Sequence, residues 1–354
     1  MSPRRPSALI VCPGRGTYNR SELGYLARHH AGQCEFLDMA DSLRQASGQT
    51  PVRTLDSAAT FSAAHTTSEN ASALIFACSF ADFLALDRDA FEIAAVTGNS
   101  MGWYTALACA EVLAPADAFE AVNTMGTLMH TSGVGGQLVY PLLDGNWHPV
   151  AGRRDEIAEL IAAVTAEGGR LFVSIDLGGM LVLAGDDAGL EKATARLPPL
   201  EGRYPMRLAH HAAFHTPLLA HVADRARSLL GAELFHDPAL SLVDGRGRIW
   251  RPRASHLAAL WDYTFGEQVT APYDFAAALR VAMREFAPEV LIVLGPGDSL
   301  GGAVAQTLVG LEWQGLAGKA EFTARQASDP LVLAMGRGPQ RALALRRAAP
   351  AGRA

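Results

Sequence analysis

Short, unbroken apolar runs that stop at glycine or proline constrain this chain most. Ala8-Leu9-Ile10-Val11-Cys12 ends at Pro13-Gly14, Ile93 to Val96 ends at Thr97-Gly98, and Val290 to Leu294 ends at Gly295-Pro296-Gly297. A strand buried on both faces has no polar alternation, so such runs read as parallel strands covered by helices. The intervening stretches are helical and Ala-rich, from about Ser57 to Leu86 and from Tyr104 to Leu113, the second ending near Pro115. The pattern predicts an α/β fold whose strand ends open into loops.

A different grammar follows Gly133-Val134-Gly135-Gly136. Strand-like Gln137 to Leu142, a helix from about Asp155 to Ala166, strand-like Leu171 to Ile175 and Leu181 to Ala184, a short helix from Leu190 to Arg196, and Met206 to Leu208 come in β-α-β-β-α-β order. That order is the ferredoxin-like one. At 354 residues the chain exceeds the usual single-domain size. We therefore expect a large α/β subdomain from residues 1–136 and 208–330, an inserted small ferredoxin-like subdomain at 137–207, and an Arg/Ala-rich tail at 331–354. The tail carries Arg337, Arg341, Arg346, Arg347 and Arg353 and is expected to be a loosely attached end.

Composition excludes several functions. With 49% hydrophobic and 19% charged residues the chain is neither disordered nor fibrous. A net charge of −6 offers no general attraction to nucleic acid or to anionic lipid. No apolar stretch is long enough for a membrane span, and Ala8 to Val11 is too short for a secretory core, so cytoplasm is the default expectation. Cys12, Cys34, Cys78 and Cys109 are too widely spaced for a metal knuckle or redox pair, and read as buried thiols; no metal site is expected.

Gly98-Asn99-Ser100-Met101-Gly102 carries the chemistry. A G-x-S-x-G segment between a strand and a helix is the setting of a nucleophile elbow, where the serine sits on a sharp turn with its hydroxyl exposed. The backbone N–H of Met101 would then face a developing oxyanion. A serine needs a base within hydrogen-bond reach. Among 11 histidines, His215 stands between an extended apolar stretch and a helix starting near Pro217. On its own, such a histidine reads more readily as a structural one flanking a helix and satisfied by backbone groups.

Taken together these segments resemble the malonyl-CoA:acyl-carrier-protein transacylase family, which includes the acyltransferase domains of fatty-acid and polyketide synthases. Cys12-Pro13-Gly14-Arg15-Gly16 resembles the family's F-P-G-Q-G, and Gly98 to Gly102 its G-H-S-x-G. Gly133 to Gly136 resembles its glycine-rich lead into the small subdomain, and Gly179 to Gly185 its G-Q-V-V-I-S-G. Ala213-Phe214-His215-Thr216-Pro217-Leu218 is nearly identical to its A-F-H-[ST]-P-L. Gln268-Val269-Thr270-Ala271-Pro272 resembles its Q-[LV]-[TS]-x-P, and Leu294 to Gly297 its V-G-P-G. The resemblance implies an α/β-hydrolase-like large subdomain and ping-pong catalysis through an acyl-Ser100, with His215 as base. It implies that the backbone carbonyl of Gln268 orients His215, and that the N–H groups of Met101 and Arg15 form the oxyanion hole. It also implies acyl-CoA as substrate, a phosphopantetheinylated acyl carrier protein as partner, and no bound cofactor.

Departures from the family bear on substrate. Malonyl-binding members have an R-G-x-x-M segment whose arginine pairs with the free carboxylate. Here the segment reads Met125-Gly126-Thr127-Leu128-Met129. Arg15 replaces a glutamine, Asn99 a histidine, Trp103 an acidic residue and Met180 a glutamine, while Phe214 keeps the malonyl-type residue. All six are expected around the acyl pocket. An apolar pocket for an uncharged acyl group is one reading; a carboxylate clamp rebuilt from Arg15 is the other. A hydrolase that clears acyl groups from a carrier protein uses the same residues. A nucleotide-binding loop at Gly14-Arg15-Gly16 is disfavoured, because Asn19 stands where the third glycine is required. A catalytically dead scaffold is disfavoured by the presence of both Ser100 and His215.

Overall fold

The computed structural model describes residues 4–345. Its eleven strands are β1 (Ser7–Cys12), β2 (Glu92–Gly98), β3 (Gly136–Pro141), β4 (Leu171–Asp176), β5 (Met180–Gly185), β6 (Met206–Leu208), β7 (Leu242–Val243), β8 (Ile249–Trp250), β9 (Tyr273–Asp274), β10 (Val290–Val293) and β11 (Val332–Ala334). They form two sheets.

The larger sheet has the order β11-β10-β1-β2-β7-β8 and is parallel except for the terminal β7–β8 pair. The apolar runs lie at its centre. Along β1, Ala8, Ile10 and Cys12 enter one hydrophobic core while Leu9 and Val11 enter the other, so each face of the strand is sealed. That double burial is why these segments show no polar alternation. The helix Ser68–Ala85 covers one face against the helix Pro115–Ser132, and most of its residues are buried.

The smaller sheet has the order β6-β3-β5-β4-β9. Strands β3 to β6 pair antiparallel, with the helices Arg153–Ala166 and Asp187–Arg196 between them in the β-α-β-β-α-β sequence. The fifth strand, β9, comes from outside that insertion and pairs in parallel with β4 (Ile175 opposite Tyr273). The Tyr273 hydroxyl donates to the Gly98 carbonyl at 2.5 Å. One residue therefore links the small sheet to the strand end that precedes Ser100.

Two expectations need correction. Cys34 is exposed, unlike Cys12, Cys78 and Cys109. The segment expected to be a loose tail from residue 331 is built into the body as far as residue 345. Val332–Ala334 pairs in parallel with β10, and in the helix Gly338–Ala344 Arg341 donates to Asp82 at 2.6 Å and to the Tyr25 hydroxyl at 2.8 Å. Asp82 is fully buried and also accepts from His30 and the Gly295 N–H. Arginine content signalled solvent, but one of these arginines neutralises a buried carboxylate. Arg346, Arg347 and Arg353 lie outside the described residues.

Candidate active site

Strand β2 ends at Gly98, the helix Gly102–Cys109 begins at Gly102, and Ser100 occupies the turn with φ of 55°. A serine in the left-handed region costs of order 1–3 kcal/mol and persists only where its surroundings enforce it. Here close packing does so. A Cβ at Gly98 would meet the Gly102 carbonyl, and one at Gly102 would meet the carbonyls of Cys12 and Pro13. Both glycines are thus required by backbone approach.

His215 reaches this turn from a loop that ends at the short 3-10 helix Pro217–Leu219. Its own φ is 58°. The Ser100 Oγ lies 2.7 Å from His215 Nε2, and His215 Nδ1 lies 2.6 Å from the main-chain carbonyl of Gln268. A carbonyl can only accept, so Nδ1 carries the proton and Nε2 is free to take one from Ser100. The side chain of Gln268 adds a second contact, its Nε2 donating to the Ser100 carbonyl at 3.0 Å. Burial depresses the His215 pKa to about 4, against the opposing effect of the Gln268 carbonyl. The imidazole is neutral at physiological pH, as a general base must be.

The dyad opens into a small cavity that communicates with solvent. Val122, Met125, Met129, Val269, Tyr104 and Phe214 line it, with Arg15, Ser68 and Ser72 as its polar wall. The Arg15 guanidinium donates to the Thr66 carbonyl at 2.7 Å and to Ser68 Oγ at 2.5 Å, and lies 5.5 Å from the Phe214 ring centre. Its Nε has no partner, and among the described residues Arg15 forms no ion pair. Burial lowers its pKa to about 10, which leaves it cationic.

Of the residues singled out from the sequence, Ser100, Met101, His215, Gln268, Arg15, Met125 and Phe214 border this cavity. Asn99, Trp103 and Met180 do not line it, which corrects their assignment to the pocket. Trp103 is fully buried, its Nε1 donating to Thr264 at 3.0 Å, because the first helical turn after the elbow points it into the core. Asn99 is buried beside the first loop, its N–H donating to the Cys12 carbonyl at 2.9 Å. Met180 lies on β5 opposite Pro141, with its sulfur 4.0 Å from the Tyr204 hydroxyl. Sequence reasoning missed Ser68 and Ser72. Their one signal was a pair of serines spaced i, i+4 in a largely apolar helix, which puts both on one face. They meet Gly126, where a Cβ would press on the Ser68 carbonyl and the Ser72 side chain.

No protein-family model matches the chain. It is 26% identical over 245 residues to a phenolphthiocerol-synthesis type I polyketide synthase of Mycobacterium marinum, a match covering 69% of this chain and 11% of that protein. It is 28% identical over 151 residues to the malonyl-CoA:acyl-carrier-protein transacylase of Haemophilus influenzae, covering 42% of this chain and 46% of that one. The chain therefore spans a small part of the first relative and less than half of the second. Solved structures match more completely. The acyl-carrier-protein S-malonyltransferase of Burkholderia pseudomallei superposes with a TM-score of 0.75 at 23% identity, covering 96% of this chain and 99% of that one. A malonyl-transacylase solved with its type II polyketide synthase acyl carrier protein superposes with a TM-score of 0.73 at 19% identity, covering 96% and 99%. The chain thus has the fold of the malonyl-CoA:acyl-carrier-protein transacylases and is similar to them, and to polyketide synthases, in sequence.

Proposed function

We propose that the protein is an acyltransferase that moves an acyl group from coenzyme A to the phosphopantetheine thiol of an acyl carrier protein through an acyl-Ser100 intermediate. The observation that carries this reading is the 2.7 Å contact between Ser100 Oγ and His215 Nε2, with Nδ1 anchored on Gln268. His215 takes the Ser100 proton as Oγ attacks the thioester carbonyl. The tetrahedral oxyanion is met by the N–H groups of Met101 and Arg15. Collapse breaks the C–S bond, and the imidazolium returns its proton to the departing CoA sulfur. A carrier thiol then gives its proton to His215, attacks the acyl-enzyme and releases Ser100 by the reverse sequence. No carboxylate is needed behind His215, because a carbonyl acceptor suffices to fix the tautomer.

The pocket supports an uncharged acyl group. Met125 and its apolar neighbours cannot compensate a buried carboxylate, and both terminal nitrogens of Arg15 already donate to protein oxygens. A dicarboxylic acyl group such as malonyl is the second reading, favoured by one observation: Arg15 is a cation in the pocket wall without an acidic partner among the described residues. The reaction class is tested by incubating the protein with acyl-CoA and a phosphopantetheinylated carrier protein. Acyl-carrier product supports transfer, whereas free acid with no loaded carrier indicates a hydrolase on the same residues.

A further inference from the structure

A chain of buried polar side chains runs from the small sheet to the base and plays no part in the mechanism above. Ser174 on β4 donates its hydroxyl to the main-chain carbonyl of Phe214, 2.7 Å away and one peptide before His215. Gln137 on β3 donates from Nε2 to Ser174 Oγ at 2.6 Å. The Gln137 Oε1 accepts from His211 Nδ1 at 2.7 Å. Ser174 is fully buried, Gln137 nearly so, and each has its hydrogen-bonding direction set by the next. His211 stays neutral at physiological pH, since burial and the neighbouring Arg15 and His210 push its pKa down to about 3.

We propose that Ser174 and Gln137 are positioning residues for His215, fixing the Phe214–His215 peptide so that Nε2 is held on Ser100. The inference rests on the acyl-transfer reading of the Ser100–His215 pair. The loop has few other means of holding its shape. Phe214 N–H donates to the Ala212 carbonyl, the Thr216 hydroxyl donates to the Ala213 carbonyl, and Ala213 N–H donates to the Val134 carbonyl. The Phe214 carbonyl depends on Ser174, and His215 follows it in a left-handed conformation that the backbone does not favour. Without the hydroxyl, a buried carbonyl is left unpaired, and rotating that peptide to find a partner moves the imidazole. Both donors belong to the small sheet, so its seating against the large body sets the geometry of the dyad.

The test uses a fluorophosphonate probe, which reports Ser100 activation whatever the acyl group, with inactivation rate and probe affinity measured separately. Ser174→Ala and Gln137→Leu should each lower the maximal labelling rate of Ser100 by about 10- to 100-fold, since ångström-scale misplacement of a reacting group can cost about 100-fold. Probe affinity should change by less than about threefold, because neither side chain lines the cavity, and the small factor follows from a lost orientation rather than a lost binding contact. Ser174→Thr, which keeps the hydroxyl, should restore the rate. A wild-type rate in Ser174→Ala overturns the positioning role and leaves acyl transfer standing. Loss in both Ser174→Ala and Ser174→Thr marks the site as merely intolerant of change and also overturns it. Failure of wild-type Ser100 to label overturns both readings.

Discussion

The Nδ1 of His215 lies 2.6 Å from the main-chain carbonyl of Gln268, and Gln268 in turn donates its side-chain amide to the carbonyl of Ser100. One residue thereby holds His215 by its backbone and the turn at Ser100 by its side chain. The main-chain contact survives any substitution at position 268, but the side-chain contact does not. Gln268→Ala should slow Ser100 acylation by about tenfold, within the cost of loosening a near-attack geometry, while Tyr104, which loses only a 3.4 Å contact, remains in the cavity wall. Single-turnover acylation kinetics measure this directly.

The pH dependence follows from the buried imidazole. Because the His215 pKa is lowered to about 4, acylation should hold its rate down to about pH 5 and fall as pH drops through 4, well below the usual histidine range. Stability behaves in a related way. Unfolded His211 and His215 take up protons near their ordinary pKa of about 6.5, whereas the folded forms resist until about 3 and about 4. The contribution is complete above pH 6.5, declines as pH falls from 6.5 toward 3, and changes no further once both states are protonated. Denaturant unfolding at pH 7.5 and pH 5, compared between wild type and His211→Gln, reads this slope, which the variant should reduce.

On the proposed reading, acyl preference should turn on Met125 and Arg15, which both line the cavity. Burying an unpaired carboxylate costs several kcal/mol, whereas each buried CH₂ contributes about 0.8 kcal/mol. Acetyl-CoA or a longer uncharged acyl-CoA should therefore outcompete malonyl-CoA by at least about tenfold in kcat/KM, a factor equal to about 1.4 kcal/mol. Met125→Arg should move the ratio toward malonyl. Efficient malonyl loading by wild type that disappears in Arg15→Gln would assign the carboxylate clamp to Arg15 instead.

The C-terminal helix is expected to be a stability element. Arg341→Ala strands the buried Asp82 carboxylate and should destabilise the fold by about 3 kcal/mol, a usual cost of removing one partner of a buried pair. Equilibrium unfolding in urea reads the loss, with no matching change in acylation chemistry among the molecules still folded.

The central strands and the inserted β-α-β-β-α-β unit were legible because double burial and strand alternation leave local marks in the chain. The turn at Ser100 was legible because its glycines answer a local backbone requirement. Other features depend on contacts distant in sequence. The i, i+4 spacing of Ser68 and Ser72 puts them on one face, but nothing in the sequence announces that helix packing brings that face to the cavity beside Gly126. Trp103 and Met180 were assigned to the pocket through family positions, yet helix phase turns one into the core and strand pairing holds the other in the small sheet. Arg341 looked like a solvated end because its partner, Asp82, is 259 residues away.

Intact-protein mass spectrometry after incubation with a panel of acyl-CoAs tests the central claim most directly. Wild type should gain the mass of one acyl group, mapped to Ser100 by peptide digestion, and the preferred donor should carry no free carboxylate. Ser100→Ala should gain nothing, and His215→Ala should acylate about 10²- to 10⁴-fold more slowly, the span expected for losing a positioned base. Labelling that persists in Ser100→Ala, or an unchanged rate in His215→Ala, would contradict the account.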